Sequence, residues 1–124
     1  VSMKIVVPVD GSIIATNALK FAITMAKAYG DQIRLINIQP SHQILGESTI
    51  REASALLEEE RVLYSSKIRV GTPALEIITE AKEKDVRCIV MGSRGNGNGS
   101  SGKLGSVSQA TLAMAPCPIM FIPS

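Results

Sequence analysis

The chain has 124 residues, 45% of them apolar and 19% charged, enough for one compact core and too few for two, so a single domain over residues 1–124 is expected. Thirteen basic against eleven acidic side chains leave a formal charge of +2, too small an excess to point to nucleic acid or a membrane surface as partner. No apolar run reaches the ~18–20 residues that span a bilayer, and the N-terminus opens into a strand pattern rather than a signal sequence, so a cytoplasmic protein is expected.

Met3 to Val9 (MKIVVPV) is β-branched with hardly any polar interruption, as in a strand buried on both faces of a parallel sheet. Asp10-Gly11-Ser12 is turn chemistry. From Ile14 to Tyr29, apolar Ala15, Ala18, Leu19, Ala22, Ile23, Ala26 and Tyr29 form a helical stripe that Gly30 stops. Gln32 to Gln39 is a second strand, ended by Pro40. Glu47 to Leu63 reads as a charged helix with Ile50, Ala53, Leu56, Leu57 and Leu63 inward, and Ser65 to Val70 as the third strand. Thr72 then offers an N-cap and Pro73 a first helical residue, for a helix to about Lys84. Arg87 to Met91 is the fourth strand, Ser106 to Met114 the last helix, and Ile119 to Ile122 the fifth strand, between Pro118 and Pro123.

Strands alternating with helices predict an α/β fold: one doubly wound, five-stranded parallel sheet with helices on both faces. The flanking prolines place the fifth strand at an edge. An apolar edge invites pairing, so a homodimer formed partly through strand 5 is expected.

Between Gly92 and Gly105, six of fourteen residues are glycine and most others are Ser or Asn. The stretch leaves the C-terminal end of a buried strand and enters a helix N-terminus, where free N–H groups and the helix dipole favour an anion such as phosphate. Ser106 and Ser108 can donate hydroxyl hydrogen bonds there, and Arg94 and Lys103 can add positive charge. Two familiar patterns fit poorly. Gly97 to Gly102 satisfies GxGxxG but follows the fourth strand rather than the first. Gly97 to Lys103 approaches a Walker A loop, yet Leu104 stands where a magnesium-binding Ser or Thr is required. A low-complexity surface loop is the plain alternative, against which the placement between strand and helix argues.

A third spacing, Gly92, two residues, Gly95, nine residues, Gly105-Ser106, resembles that of the universal stress protein family. The resemblance runs through KIVVPVDGS (Lys4 to Ser12), GTPALEIITEAK (Gly71 to Lys82), IVMGSRG (Ile89 to Gly95), LGSVS (Leu104 to Ser108) and APCPIMFIP (Ala115 to Pro123). It implies a Rossmann-like sheet of the adenine nucleotide alpha hydrolase kind, in strand order 3-2-1-4-5, and subunits paired through the last strand. In the ATP-binding branch it further implies ATP with Mg2+ as ligand. The phosphates and ribose would then meet Gly92, Arg94, Gly95, Gly105, Ser106, Val107 and Ser108. Pro8, Val9 and Asp10 would lie against the nucleotide, and Ile38 against adenine, with Met91 beside the glycines. With that order, Asp10 and Gly92 flank the topological switch point. Asp10 would reach phosphate-bound magnesium or accept a hydrogen bond from the nucleotide; its other reading is a cap for the turn after the first strand. The segment Asn96 to Lys103 is richer in Gly and Ser than is usual in the family, and Glu59 to Val70 is shorter.

The remaining reactive residues read as structural. His42 stands in a polar stretch without a triad partner. Glu58, Glu59 and Glu60 point around a helix rather than converging. Cys88 and Cys117, 29 positions apart without CxxC or Cys/His spacing, suit a reducing compartment and small buried apolar roles. Met25, Met91, Met114 and Met120 read as core. The resemblance, with no catalytic base evident, implies an ATP-binding switch acting on an unidentified protein partner or assembly surface. The alternatives are a slow ATP hydrolase or nucleotidyl transferase in the same cleft, and a nucleotide-free dimeric stress protein.

Overall fold

The computed structural model describes residues 2–94 and 104–123. The elements run β1 (Lys4–Pro8), α1 (Ile13–Tyr29), β2 (Gln32–Gln39), a short 3-10 turn (Gln43–Gly46), α2 (Glu47–Glu59), β3 (Tyr64–Val70), α3 (Pro73–Ala81), β4 (Val86–Gly92), α4 (Ser106–Met114) and β5 (Ile119–Ile122). All pairings are parallel, and the sheet order is β3-β2-β1-β4-β5, as the resemblance implies. Among the described residues no helix is long and apolar enough to cross a membrane.

Alternation along the central strands builds two cores. Ile5 and Val7 of β1, Ile33 and Leu35 of β2, and Cys88 and Val90 of β4 pack with α1 and with Leu57 of α2. Val6, Ile36, Ile89 and Met91 point the other way, against Ile77 and Ala81 of α3, and α4 packs beside α3. The stripe read for α1 is buried from Ala15 to Ala26, but Tyr29, read as its last member, is 57% exposed, its ring lying under Arg87 rather than in the core. Ser12 caps that helix by accepting from the Ala15 N–H at 3.1 Å, and Gly30, left-handed at φ 72°, closes it onto Ala26 O.

Several boundaries differ from the sequence expectation. Helix α2 stops at Glu59 because Arg61 takes a left-handed φ of 59° and the Val62 N–H returns to Leu57 O. Leu63 therefore lies past the helix and is 78% exposed rather than inward. Helix α3 ends at Ala81, short of Lys84, and Thr72 makes no side-chain cap. Met114, in the last turn of α4, and Met120, on edge strand β5, are exposed rather than core, whereas Met91 is buried and Met25 partly so. Between β1 and β4 the register slips at Arg87, whose side chain forks onto Asp31 and lies 4.4 Å over the Tyr29 ring.

Candidate functional site

The β1 chain ends its ladder at Pro8 and turns away. Val9, buried, still donates its N–H to Ile36 O at 2.8 Å. Asp10 Oδ1 accepts from the Ser12 N–H at 2.9 Å, so the turn-capping role of Asp10 is real, and Gly11 makes the bend at φ 86°. On the other side of the switch point, Gly92 ends β4. A Cβ there would overlap Ile14 Cγ2 and come within 3.2 Å of Arg94 O. Glycine is thus required at 92 by packing against the start of α1, whatever else approaches it.

The glycine-rich excursion starts and ends on hydrogen bonds. The Ser93 N–H donates to Ile122 O and the Gly105 N–H to Ser93 O, both at 2.9 Å. Gly105 is the α4 N-cap and supplies no side-chain cap, so the N–H groups of Ser106, Val107 and Ser108 have no acceptor within the helix. The Ser108 hydroxyl, buried, donates to Gly92 O at 3.1 Å, tying the first turn of α4 to the end of β4.

A cleft of about 180 Å³ opens between these segments. Pro8, Val9, Asp10, Ile38, Met91, Gly92, Arg94, Val107 and Ser108 line it. Gly105 and Ser106 are not among its walls, and Gly95 and Lys103 lie outside the described residues. Four further wall residues escape sequence reading: Ser12, Ala15, Pro73 and Ile77. Pro73 and Ile77 could have been found from topology, because α3 must cross from β3 over β2 and β1 to reach β4, carrying its first turns across the strand ends. The walls are mostly apolar with a few convergent polar groups, the usual make-up of a small-molecule site.

Elsewhere the reactive side chains are occupied or dispersed. Glu58 accepts from Tyr64 Oη at 2.5 Å and Glu60 pairs with Lys27 at 2.7 Å. His42 is exposed, and its ring meets Ser41 Oγ. Burial pushes both cysteine thiols above their ordinary range, which keeps them protonated and poorly nucleophilic. Among the described residues no three His, Cys, Asp or Glu side chains gather as a metal group would require.

The universal stress protein family profile matches residues 2–123. The chain belongs to that family. Among its relatives is the universal stress protein encoded in the QAH/OAS sulfhydrylase 3' region of Thermus aquaticus, 31% identical over 131 residues, covering 91% of this chain and 93% of the relative. Among solved structures, a universal stress protein from Archaeoglobus fulgidus superposes with a TM-score of 0.86 at 26% identity, covering 98% of this chain and 99% of that one. A second Archaeoglobus fulgidus structure, of a universal stress protein in complex with dAMP, gives a TM-score of 0.82 at 26% identity, with 97% of both chains covered.

Proposed function

We propose that this universal stress protein binds adenine nucleotide, ATP with Mg2+ in its working state, in the cleft at the C-terminal ends of β1, β2 and β4, as one domain spanning the chain. The observation that carries the reading is the meeting of that apolar cleft with the uncapped first turn of α4, and the dAMP complex of a 26% identical relative supports it. Ile38, with Pro8 and Val9, takes the base. Met91 and Gly92 floor the cleft and Arg94 adds charge on the phosphate side; Gly95, which the same reading assigns to the phosphates, lies outside the described residues. With the Gly105 N–H already given to Ser93 O, the phosphate donors are the N–H groups of Ser106, Val107 and Ser108. Asp10, at the rim and oriented by its turn, is the carboxylate suited to a phosphate-bound magnesium, which would neutralise triphosphate charge.

Nucleotide state then acts through the glycine-rich segment on a partner or assembly surface, in the cytoplasm. Any turnover is expected to be slow at most, because fast phosphoryl transfer also needs a positioned water and transition-state charge stabilisation. Homodimerisation through β5 belongs to the same reading: its Met120, with Leu112 and Met114 of α4, leaves apolar surface at the sheet edge.

Calorimetric titration with ATP and magnesium, and with AMP, tests the site. Ser106→Pro is the control, since proline at a first helical position removes one N–H and leaves the helix intact, and Gly105 is already extended as a pre-proline residue must be. Saturable binding weakened about tenfold in the control, the worth of one charge-assisted bond, is expected. A folded, nucleotide-free protein that takes up neither ligand contradicts the reading.

A further inference from the structure

In the apolar run of β2 one polar side chain is almost wholly buried: Asn37, 2% exposed. A buried amide is tolerated when both of its ends are bonded. Here Nδ2 donates to Val9 O at 2.8 Å and Oδ1 accepts from Gln39 Nε2 at 2.8 Å. Val9 is thereby held on both sides by β2, its N–H by Ile36 O and its C=O by Asn37. The second bond replaces the ladder bond lost where β1 ends at Pro8 and the chain turns toward Asp10.

Asn37 does not itself touch the cleft. It shares a sheet face with Ile33 and Leu35, while its neighbour Ile38 points to the opposite face and lines the cavity. Gly46, the last residue of the 3-10 turn, closes over the amide: a Cβ at 46 would overlap Asn37 Oδ1 and lie 3.1 Å from Ile68 Cγ2. One side chain therefore joins the Ile36 carbonyl in tying the Val9–Asp10 wall to β2, beside the Ile38 wall, with the turn after β2 packed onto it.

We propose that Asn37, locked by Gly46, is a positioning residue for the nucleotide: it holds the Val9–Asp10 wall at the distance from Ile38 that admits the base. The inference rests on the adenine-nucleotide reading of the cleft and adds a residue that no ligand contact would reveal. Positioning of this kind is lost with small displacements.

The test uses Asn37→Asp, nearly isosteric but without the donor, together with Asn37→Ala, Gly46→Ala and the double variant, each checked for folding by circular dichroism. AMP affinity is measured by calorimetry and the backbone amide signals of Val9, Asp10 and Gly11 by 15N spectroscopy without ligand. About a tenfold weaker AMP affinity is expected in Asn37→Asp and in Gly46→Ala, with the same three amide signals displaced in both. Gly46→Ala should cost no further AMP affinity in the Asn37→Ala background, because its route to the Val9 wall runs through the Asn37 side chain, whereas its contact with Ile68 bears on stability. AMP affinity within twofold of wild type in a folded Asn37→Asp or Gly46→Ala protein, or additive losses in the double variant, overturns the proposal. If the wild-type chain binds no AMP, the nucleotide reading falls by itself. The amide signals then decide whether Asn37 sets this wall: a common displacement upholds it and undisturbed signals refute it.

Discussion

At the N-terminal ends of the strands charge meets charge, whereas at their C-terminal ends apolar walls face an open cleft. The first end is closed by the Arg87–Asp31 fork, by Lys4 on Glu83 at 3.3 Å and by Lys27 on Glu60. A second cavity at that end is lined by Lys27, Asp31 and Arg61, two of which already hold partners. Among the described residues the cleft end has Asp10 and Arg94 as its charged wall residues, beside a helix start without a side-chain cap. Parallel strands make this division available, because every crossover returns the chain to the same end and leaves the other for loops and helix N-termini. Pairing ties the first end together, whereas at the other the first-turn N–H groups of α4 have no acceptor within the helix and stand beside the cleft.

The pairing continues inward from the closed end at Glu80 of α3, which is 1% exposed. Its carboxylate bridges Arg34 of β2 at 2.5 Å and Arg69 of β3 at 2.8 Å, and Arg69 also reaches Glu76 at 3.1 Å. Glu80→Ala leaves two half-buried guanidiniums without their shared partner, and a loss of roughly 3–5 kcal/mol in urea unfolding is expected, more than a substitution at the cleft should cost. A loss under about 1 kcal/mol would show that the network is ornamental and that the two ends differ less than their charges suggest.

The same residue gives the comparison a pH dependence. Burial by itself would raise the Glu80 pKa, but hydrogen bonds from Arg34 and then Arg69, with their charges, outweigh it and hold the carboxyl below its ordinary value. A group depressed in the folded state contributes stability that is present above its unfolded pKa and lost as pH falls through its folded one. Urea midpoints of the wild type should therefore drop below about pH 4, where free Glu titrates. Glu80→Gln should flatten that drop, and an unchanged acid limb in the variant would assign the loss to other carboxylates.

A smaller effect is expected at the cleft. Gly92→Ala drives a Cβ into Ile14 and should cost about 1–3 kcal/mol by overpacking while weakening nucleotide binding. Ile14→Ala in the same chain should restore part of both, read by thermal unfolding and calorimetry. Smallest is Ser12→Ala, which removes the α1 cap and is expected to cost about 1 kcal/mol in the same unfolding measurement.

Much of the fold was legible because its signals are local. The stripe from Ala15 to Ala26 and the unbroken apolar β1 each follow from a few adjacent residues, and Gly30 stops α1 by a conformation that glycine adopts freely. The errors fall where a distant contact or a backbone exception decides. Arg61 ends α2 in a left-handed turn that no arginine advertises, and Met120 is exposed because β5 has a neighbour on one side only. The cleft was legible to the extent that its residues sit in the glycine spacing and at the end of β1. Pro73 and Ile77 enter it through the crossover of α3, and Asn37 acts from the far face of the sheet, where an amide in an apolar strand gives no sign of what it holds. Gly92 was legible as a member of the glycine spacing, but the packing of Ile14 that requires it was not.

The most direct test of the division between the two ends is an amide-resolved titration of the 15N-labelled protein with ATP and magnesium. Saturable shifts at Val9, Asp10, Ile38, Gly92 and Ser106 to Ser108, with Lys27, Asp31 and Arg61 undisturbed, are expected. Shifts centred on Lys27, Asp31 and Arg61, or none anywhere at saturating nucleotide, would contradict the assignment of the binding site to the C-terminal ends of the strands.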